Sequence, residues 1–475
     1  MATIAEKLTK LADTKKSIKD AIVAKGVAVA DTDTFSSYAD KIGEIGEIVE
    51  KTKFGASGDT WIGDVDENGV LQKPTTQTAL NFAGVTEIGS NALQYAFYRN
   101  TSVTSVDLSS LTTVDNYGMY YAFDGCTGIT GTLDLSSLQS IGENGLYYAF
   151  DGCKGIISVD LSSVQSIGSY GLYCAFSGCT GIACALVLSS LQSVGQGGLQ
   201  YAFRDCTGIT SVDLSSLTTV GDSGLDSTFD GCKGITSVNL SSLQSVGEAG
   251  LRAAFYKCTG LTSVDLSSLQ SVDGEGGFNS TFYGCTGLTS VDLSSLQGVD
   301  IHGLSTMFYD CTGLTSVDLS SLQSIASSGL RQTFSNCTSL ITISFPSLIS
   351  VQTKSFGSAN YDFAFRNCTA LTEIHFRADM QTTIETLTGY DSKFGATNAT
   401  IYFDLVGTIT VGGVAYARDE KQSIRVDGVK TFVGWKDAND NIVYTSCTDN
   451  AEPAVDTVVY SDQGTTQVGT VEAVA

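Results

Sequence analysis

The chain has 475 residues, with 50 aspartates and glutamates against 26 lysines and arginines, and its formal net charge is −24. Such a charge repels phosphate backbones and anionic lipid surfaces, so nucleic acid is not expected as a partner. The sequence contains no stretch of about 20 apolar residues and begins without the apolar run of a signal peptide. We therefore expect neither insertion into a membrane nor an export signal.

Residues 1–50 are predicted to be a helical N-terminal segment for attachment or oligomerisation. Apolar residues recur there at the spacing of one helical face, and lysine is frequent between them. These apolar residues are Ile4, Leu8, Leu11, Ile18 and Ile22. A second, shorter helix is predicted over residues 35–45. An apolar stripe needs a partner to cover it, which favours the attachment role.

Two motifs in this opening resemble the N-terminal segment of tail-fibre-like proteins of phages and prophages. They are Ile22-Val23-Ala24-Lys25-Gly26-Val27 and Tyr38-Ala39-Asp40-Lys41-Ile42-Gly43-Glu44-Ile45. In such proteins this end generally faces the virion. The resemblance implies contacts with other virion proteins, a homo-oligomer with a trimer favoured, and location in the virion.

Residues 51–78 are predicted to be a short β-hairpin linker, because Asn68 and Gly69 form a turn signal between apolar stretches. Asp64, Asp66 and Asn68 are spaced like calcium ligands. The segment lacks the acidic residue that closes a calcium loop, so no metal site is predicted.

Residues 79–400 are predicted to be a solenoid of repeated coils. Ten cysteines from Cys126 to Cys368 mark the repeat, and eight of the nine spacings between them are 26 or 27 residues. A period of this size indicates one supersecondary unit per coil, which buries its apolar side only by stacking on the next coil.

Each coil is predicted to contain a strand and a short helix or helical turn. Val264 and Leu266 alternate with polar residues, as in a strand that is buried on one face. Leu251, Phe255 and Cys258 have the spacing of one helical face, and Gly260 is predicted to end the helical turn in a left-handed conformation. Equivalent phenylalanines are expected to stack as an aromatic spine: Phe97, Phe123, Phe150, Phe176, Phe203, Phe229, Phe255, Phe282, Phe308, Phe334 and Phe365.

The repeat resembles the BspA-type leucine-rich repeat of bacterial and phage surface proteins. The motifs that carry the resemblance are Tyr148-Ala149-Phe150-Asp151-Gly152-Cys153 and Leu314-Thr315-Ser316-Val317-Asp318-Leu319. The resemblance implies an α/β repeat fold, a leucine-rich-repeat solenoid. It implies a displayed surface rather than one particular chemistry.

The repeated cysteines are interpreted as a ladder of buried thiols beside the phenylalanines, with disulfides and metal binding as the alternatives. Cys174, Cys184 and Cys447 lie outside this register and are the candidates for thiol reactivity. No cofactor is predicted.

An acidic strand ladder is predicted on one exposed face: Asp107, Asp134, Asp160, Asp213, Asp265, Asp292 and Asp318. Like charges on neighbouring strands are interpreted as a source of solubility and a barrier to pairing with other sheets. Binding of a cation or a cationic ligand is the alternative. The ladder is interrupted at Val187 and Asn239.

A candidate binding surface is predicted from tyrosines at positions that vary between coils. Its core residues are Tyr120, Tyr121, Tyr147, Tyr148, Tyr170, Tyr173 and Tyr201, with Tyr95, Tyr98 and Tyr117 beside them. Tyrosine suits stacking on sugars or packing against protein. The alternative is that these rings cover the helix side or pack on the N-terminal segment.

Residues 401–475 are predicted to be a small β domain, since β-branched residues alternate there with turn signals. The chain as a whole is interpreted as a non-catalytic virion fibre protein that binds a glycan or protein on the host surface. The alternatives are a bacterial cell-surface adhesin of the BspA kind and, less favoured, a polysaccharide-degrading tailspike. His302 and His375 fall in different coils and are interpreted as surface polar residues.

Overall fold

A computed structural model describes residues 53–54, 78–82, 84–272, 274–359 and 361–404, and the C-terminal ranges 408–411, 414–426, 429–436, 439, 441–446, 457–461 and 467–471. The helices predicted in residues 1–50, nearly all of the predicted linker and Cys447 lie outside these residues. The chain divides into two compact units, Met1–Thr210 and Ser211–Ala475. The predicted domain boundaries at residues 50, 78 and 400 stay predictions.

The first unit is a stack of coils with two rows of parallel strands. The longer strands are Ala79–Asn81, Ser105–Asp107, Thr130–Asp134, Gly155–Asp160 and Ala185–Val187. The two-residue strands are Lys53–Phe54, Glu87–Ile88, Thr113–Val114, Ser140–Ile141, Ser166–Ile167 and Ser193–Val194. Each two-residue strand pairs in parallel with its equivalent in the next coil. The repeat solenoid predicted from the sequence is therefore confirmed.

The second unit repeats this arrangement. Its longer strands are Ser211–Asp213, Ser237–Asn239, Ser263–Asp265, Ser290–Asp292, Ser316–Asp318, Thr342–Phe345, Glu373–Arg377 and Thr400–Asp404. Its two-residue strands are Thr219–Val220, Ser245–Val246, Ser271–Val272, Gly298–Val299, Ser324–Ile325 and Ser350–Val351. Val264 and Leu266 are buried while Asp265 is exposed, as the alternation predicts.

The end of the second unit differs from the repeats. A 3-10 helix, Ala378–Met380, leads into an α-helix, Gln381–Glu385, and a further 3-10 segment spans Tyr390–Gly395. An antiparallel sheet follows, formed by Thr408–Val411, Val414–Val426, Val429–Lys436, Ile442–Ser446, Val458–Tyr460 and Gln467–Thr470. Its core holds Trp435, whose indole N–H donates to the Thr445 hydroxyl at 2.9 Å.

The third side of each coil is a chain of turns rather than the predicted helix. In one coil, Ala249, Ala253 and Lys257 have left-handed φ angles of 50°, 51° and 55°. The N–H of Ala253 donates to Asn279 of the next coil at 2.9 Å, whereas the N–H of Ala254 donates within its own coil, to Leu251 at 3.1 Å. This alternation continues along the segment, so every second amide depends on the neighbouring coil.

The prediction of a helix in each coil was wrong, and so was that of a left-handed Gly260. Leu251, Phe255 and Cys258 are buried as expected. A chain of turns with a left-handed residue at every fourth position points side chains inward at the same sequence spacing as a helix does, so the apolar pattern fits both structures. Gly260 serves close packing instead, because a Cβ there would lie 2.5 Å from the Lys233 carbonyl oxygen.

The predicted phenylalanine stacking is present in both units. In the first unit, rings from Phe97 to Phe203 stack with centroids 5.0–5.5 Å apart. In the second unit, rings from Phe229 to Phe365 stack at 5.4–5.8 Å. All of these rings are fully buried. Burial of one such ring contributes roughly 1.5–3 kcal/mol.

The predicted ladder of buried thiols is confirmed, and the described cysteines are free. Ladder thiols in both units donate to the carbonyl oxygen of a spine phenylalanine in the preceding coil, as Cys153 does to Phe123 and Cys258 does to Phe229, both at 3.2 Å. Burial raises the pKa of Cys258 and Cys311 in this ladder, and that of Cys285 to about 12. They are therefore packing groups and weak hydrogen-bond donors rather than nucleophiles.

Candidate binding surface

The tyrosine surface lies on the turn side of the first unit and includes every tyrosine that the sequence nominated for binding. Its members are Tyr95, Tyr98, Tyr117, Tyr120, Tyr121, Tyr147, Tyr148, Tyr170, Tyr173 and Tyr201. One column of rings consists of Tyr95, Tyr121 and Tyr148, each two residues before a phenylalanine of the spine. Their planes are nearly parallel, with centroids 5.1 and 4.8 Å apart.

A second column contains Tyr120, Tyr147 and Tyr173, each three residues before a spine phenylalanine. These rings stack at 4.9 and 4.6 Å. Tyr170 and Tyr201 extend the surface, with centroids 6.0 and 5.7 Å from that of Tyr173. The structure thus brings the candidate residues together, and their binding role stays a prediction.

Most rings of the tyrosine surface are half-buried by their neighbours, and Tyr95 at one end is 45% exposed. Burial raises the pKa of the Tyr173 hydroxyl to about 12 and also raises the pKa of Tyr121. Burial and a hydrogen bond with Cys174 raise the pKa of Tyr148. The hydroxyls of Tyr121, Tyr148 and Tyr173 therefore stay protonated near neutral pH, where each can donate and accept hydrogen bonds.

Two half-buried carboxylates adjoin the tyrosine surface on neighbouring coils. Burial and, to a smaller extent, the nearby charge of Asp151 raise the pKa of Asp124 to about 6, against the opposing effect of Arg99. Burial also raises the pKa of Asp151, against a hydrogen bond from Ser177. Asp124 and Asp151 directly follow Phe123 and Phe150 of the spine, and the N–H of Gly125 donates to the carbonyl oxygen of Asp151 at 2.8 Å, so the two carboxylates occupy the same position on adjacent coils.

Two arginines also contact the tyrosine surface. The guanidinium carbon of Arg99 lies 4.9 Å from the centroid of the Tyr98 ring, and that of Arg204 lies 5.8 Å from the Tyr201 centroid. Cation–π contacts at such distances contribute about 0.5–1 kcal/mol at exposed sites. The surface therefore presents aromatic rings, carboxylates and arginines together.

A separate tyrosine column, which the sequence analysis missed, lies in the second unit and is called the second-unit tyrosine column. Tyr256, Tyr283 and Tyr309 directly follow spine phenylalanines, and their half-buried rings stack at 4.7 Å in both pairs. The repeated Phe-Tyr dipeptide was the available signal. The core tyrosines predicted from the sequence all lie shortly before a spine phenylalanine, whereas these three directly follow one.

The acidic strand ladder has a structural role that the sequence analysis did not foresee. In each of these residues Oδ1 accepts the backbone N–H of the serine two positions later, at 2.9–3.1 Å. Oδ1 of Asn239 likewise accepts the backbone N–H of Ser241, at 3.1 Å. The hydrogen bond therefore continues at Asn239, although the negative charge does not. The bond lowers the pKa of Asp134. Among the described residues, no cluster of His, Cys, Asp or Glu has the makeup of a metal site.

His375 is not the simple surface residue that the sequence suggested. Its Nδ1 lies 2.7 Å from Asp404, its Nε2 lies 3.4 Å from Glu373, and its ring stacks on Tyr402 at 4.9 Å. Burial lowers the pKa of His375, but the two carboxylates outweigh burial and raise it. His302 is half-buried and occupies a left-handed turn position with φ 56°.

Two of the three off-register cysteines lie within the described residues. Cys174 is buried, and burial raises its pKa to about 11 in spite of a hydrogen bond with Tyr148. This thiol is therefore a poor nucleophile near neutral pH. Cys184 is half-buried. In the part of the chain that the structure describes, no helix is long and apolar enough to cross a bilayer.

Comparison with known proteins places the repeats in a family. No curated protein matches the chain. Among solved structures, a leucine-rich repeat protein from Bacteroides ovatus is 21% identical over 70% of this chain and 85% of its own, with a TM-score of 0.40. A leucine rich cell surface protein from Faecalibacterium prausnitzii is 14% identical over 72% of this chain and 92% of its own, with a TM-score of 0.30. The BspA type leucine rich repeat region matches in six copies, over residues 86–224, 174–281 and 252–385, which together exceed half of the chain. The chain therefore belongs to the BspA-type leucine-rich repeat family.

Proposed function

We propose that the chain is a non-catalytic binding protein displayed at a bacterial cell surface, with the tyrosine surface as its contact surface. One observation carries the proposal: a repetitive frame presents a large, ordered cluster of tyrosine rings at positions where other coils carry unrelated side chains. Family membership supports it, because repeats of this kind resemble those of bacterial surface proteins and the architecture suits display.

The packing of the tyrosine surface suits binding. Tyr121 and Tyr147 are each held between two other rings, so little side-chain freedom remains to be lost when a partner docks. Tyrosine is also among the residues that most often dominate binding energy at interfaces. A non-catalytic role fits the protonated hydroxyls and the use of the ladder carboxylates in local turns.

A second candidate is the virion fibre protein suggested by the motifs at residues 22–27 and 38–45. In that case residues 1–50 would contact other virion proteins, and a homo-oligomer, with a trimer favoured, would present the tyrosine surface to a receptor on the host. The same surface would serve either function.

Antibody labelling and mass spectrometry separate the two candidates. Antibodies against the repeats should label intact, unpermeabilised cells that carry the gene. Detection of the chain in purified phage particles, without labelling of cells, would favour the fibre instead. Labelling only after permeabilisation, together with absence of the chain from purified phage particles, would contradict both.

A variant pair tests whether the tyrosine surface is the contact surface. Fluorescently labelled Tyr121→Ser/Tyr148→Ser protein should bind bacterial or host cells at least tenfold more weakly than the unmodified protein. The matched control is Tyr256→Ser/Tyr283→Ser, which removes two stacked rings from the second-unit tyrosine column. This variant should bind normally. Equal losses in both variants would contradict the assignment. Release of new reducing ends from host polysaccharide would contradict the non-catalytic part.

A further inference from the structure

Neighbouring rings cover both faces of the inner rings of the tyrosine surface. Tyr121 lies between Tyr95 and Tyr148 at 5.1 and 4.8 Å, so rings of the same chain cover both of its faces. Tyr147 is enclosed in the same way by Tyr120 and Tyr173, at 4.9 and 4.6 Å. A sugar ring packs on an aromatic face, and the inner rings of both columns have no free face to give. Hydroxyls along the ring edges can instead bond to backbone amides and carbonyls.

The carboxylates beside these rings favour a cationic partner. Asp124 and Asp151 lie on neighbouring coils, both half-buried, and each resists ionisation because burial raises its pKa. Arg99 partly compensates Asp124, whereas the polar contact that acts on Asp151 is the neutral Ser177. The charge of Asp151 also contributes to the raised pKa of Cys174, which shares a hydrogen bond with Tyr148. A cation from a partner would relieve this cost at the edge of the tyrosine surface, and the net charge of −24 would attract such a partner.

We propose that the tyrosine surface binds a protein segment that places an arginine or lysine side chain against Asp124 and Asp151, while tyrosine hydroxyls bond to the backbone of that segment. The inference rests on the proposed function and names the chemistry of the partner.

Isothermal titration calorimetry with a defined peptide tests the inference. The probe is acetyl-Gly-Arg-Gly-Arg-Gly-Arg-amide, and its neutral counterpart carries citrulline in place of each arginine. The proteins are the unmodified chain, Asp124→Asn/Asp151→Asn, and Asp292→Asn/Asp318→Asn. The last variant changes the net charge equally, but its substitutions lie in the acidic strand ladder of the second unit. Circular dichroism checks that all three proteins are folded.

We expect the arginine peptide to bind the unmodified chain at least tenfold more tightly than it binds Asp124→Asn/Asp151→Asn. The ladder variant should bind within twofold of the unmodified chain, and the citrulline peptide should not bind. Binding at pH 6 should also release protons, because a cation lowers the pKa of Asp124 from about 6. The release should be absent at pH 8 and in Asp124→Asn/Asp151→Asn. Buffers of different ionisation enthalpy measure it.

Three outcomes would overturn the inference: equal weakening in both double variants, no binding by the unmodified chain, or binding without proton release at pH 6. Binding of a soluble oligosaccharide that is lost in Tyr121→Ser/Tyr148→Ser would also overturn it, in favour of a glycan. If the peptide result is negative while cell binding still depends on the tyrosine surface, only this inference fails. If antibodies reach the protein only in permeabilised cells, the proposed display fails independently.

Discussion

Replacing Ala253 with glycine should stabilise the second unit, although the same change inside an α-helix destabilises. Ala253 has φ 51°, and its N–H donates to Asn279 of the next coil at 2.9 Å. Glycine keeps that hydrogen bond and removes the clash between Cβ and the backbone that makes the left-handed conformation unfavourable. The adjacent Ala254 lies outside the set of left-handed residues and is fully buried.

The two adjacent positions should therefore respond with opposite sign. A non-glycine residue in the left-handed region costs roughly 1–2 kcal/mol, and the extra freedom of glycine in the unfolded chain costs about 0.5–1 kcal/mol. Ala253→Gly should then raise the free energy of unfolding by about 0.5–1 kcal/mol. Ala254→Gly has the same entropy cost and also loses a buried methyl group, so it should lower that free energy by about 1.5 kcal/mol.

Urea denaturation followed by circular dichroism measures both variants against the unmodified chain. The free energies of unfolding of the two variants should differ by about 2 kcal/mol. This difference is less sensitive to incomplete cooperativity of a repeat array than either free energy alone. If Ala253→Gly destabilises as much as Ala254→Gly, the segment behaves as a helix and the reasoning from left-handed turns is refuted.

Three further substitutions test the packing, the raised carboxyl pKa and the strand ladder. Phe255→Ala should lower the free energy of unfolding by about 3–5 kcal/mol, because it empties a fully buried place in the spine; the half-buried Tyr256→Ala should cost less, and unchanged protease resistance in Phe255→Ala would contradict the packing. Burial raises the pKa of Asp124 in the folded protein to about 6, above the value near 4 in the unfolded chain. The contribution of Asp124 to the free energy of unfolding is therefore most favourable below pH 4 and is lost as the pH rises through 6. After allowance for solvent screening, Asp124→Asn should be about 1–2 kcal/mol more stable than the unmodified chain at pH 8 and equal to it at pH 4, and a gap that does not change with pH would refute the cause. Asp292→Ala should lose about 1 kcal/mol in thermal or urea unfolding and Asp292→Asn almost nothing, since Asn239 makes the same bond naturally; equal losses would show that the charge matters instead.

The strands and the spine could be predicted because their signals are local and repeat with the coil. Val264 and Leu266 alternate with polar residues, and stacking of equal coils puts Phe255 beside Phe229 and Phe282 without further assumptions. The turn side could not be told from a helix by apolar spacing alone. Every second amide of the turn side donates to a carbonyl oxygen of the next coil. Helix propensity considers the residues of one coil alone, so it does not take these hydrogen bonds into account.

A signal for the left-handed turns was nevertheless present in the sequence. The residue before each ladder cysteine has positive φ throughout the described coils. Lysine fills that place once, at Lys257. In the other nine coils it is glycine, asparagine or aspartate: Gly125, Gly152, Gly178, Gly231, Gly284, Asp205, Asp310, Asn336 and Asn367. These are the residue types that tolerate the left-handed region best. Their recurrence at one position argues against a helix.

The candidate surface was predictable in its location but not in its chemistry. Equivalent repeat positions must stack, so Tyr120, Tyr147 and Tyr173 had to lie near one another. Whether their rings meet face to face depends on side-chain rotation, and the raised pKa of Asp124 depends on burial by neighbours. The role of the ladder aspartates in turns was readable from the Asp-Leu-Ser order, which favours a bond from the side chain to the backbone two residues on.

The backbone under the tyrosine surface bears on the proposed binding role of its rings. Tyr117 and Tyr170 are left-handed at a coil position that Gly197 and Gly276 fill elsewhere without strain. A left-handed tyrosine costs roughly 1–2 kcal/mol, while a stacked aromatic pair returns about 0.5–1.5 kcal/mol. Exchange of glycine for tyrosine is therefore close to neutral for stability and leaves a large ring at the surface. Stability alone gives no reason to gather such rings on a few adjacent coils, and this supports the proposal that the tyrosine surface contacts another molecule.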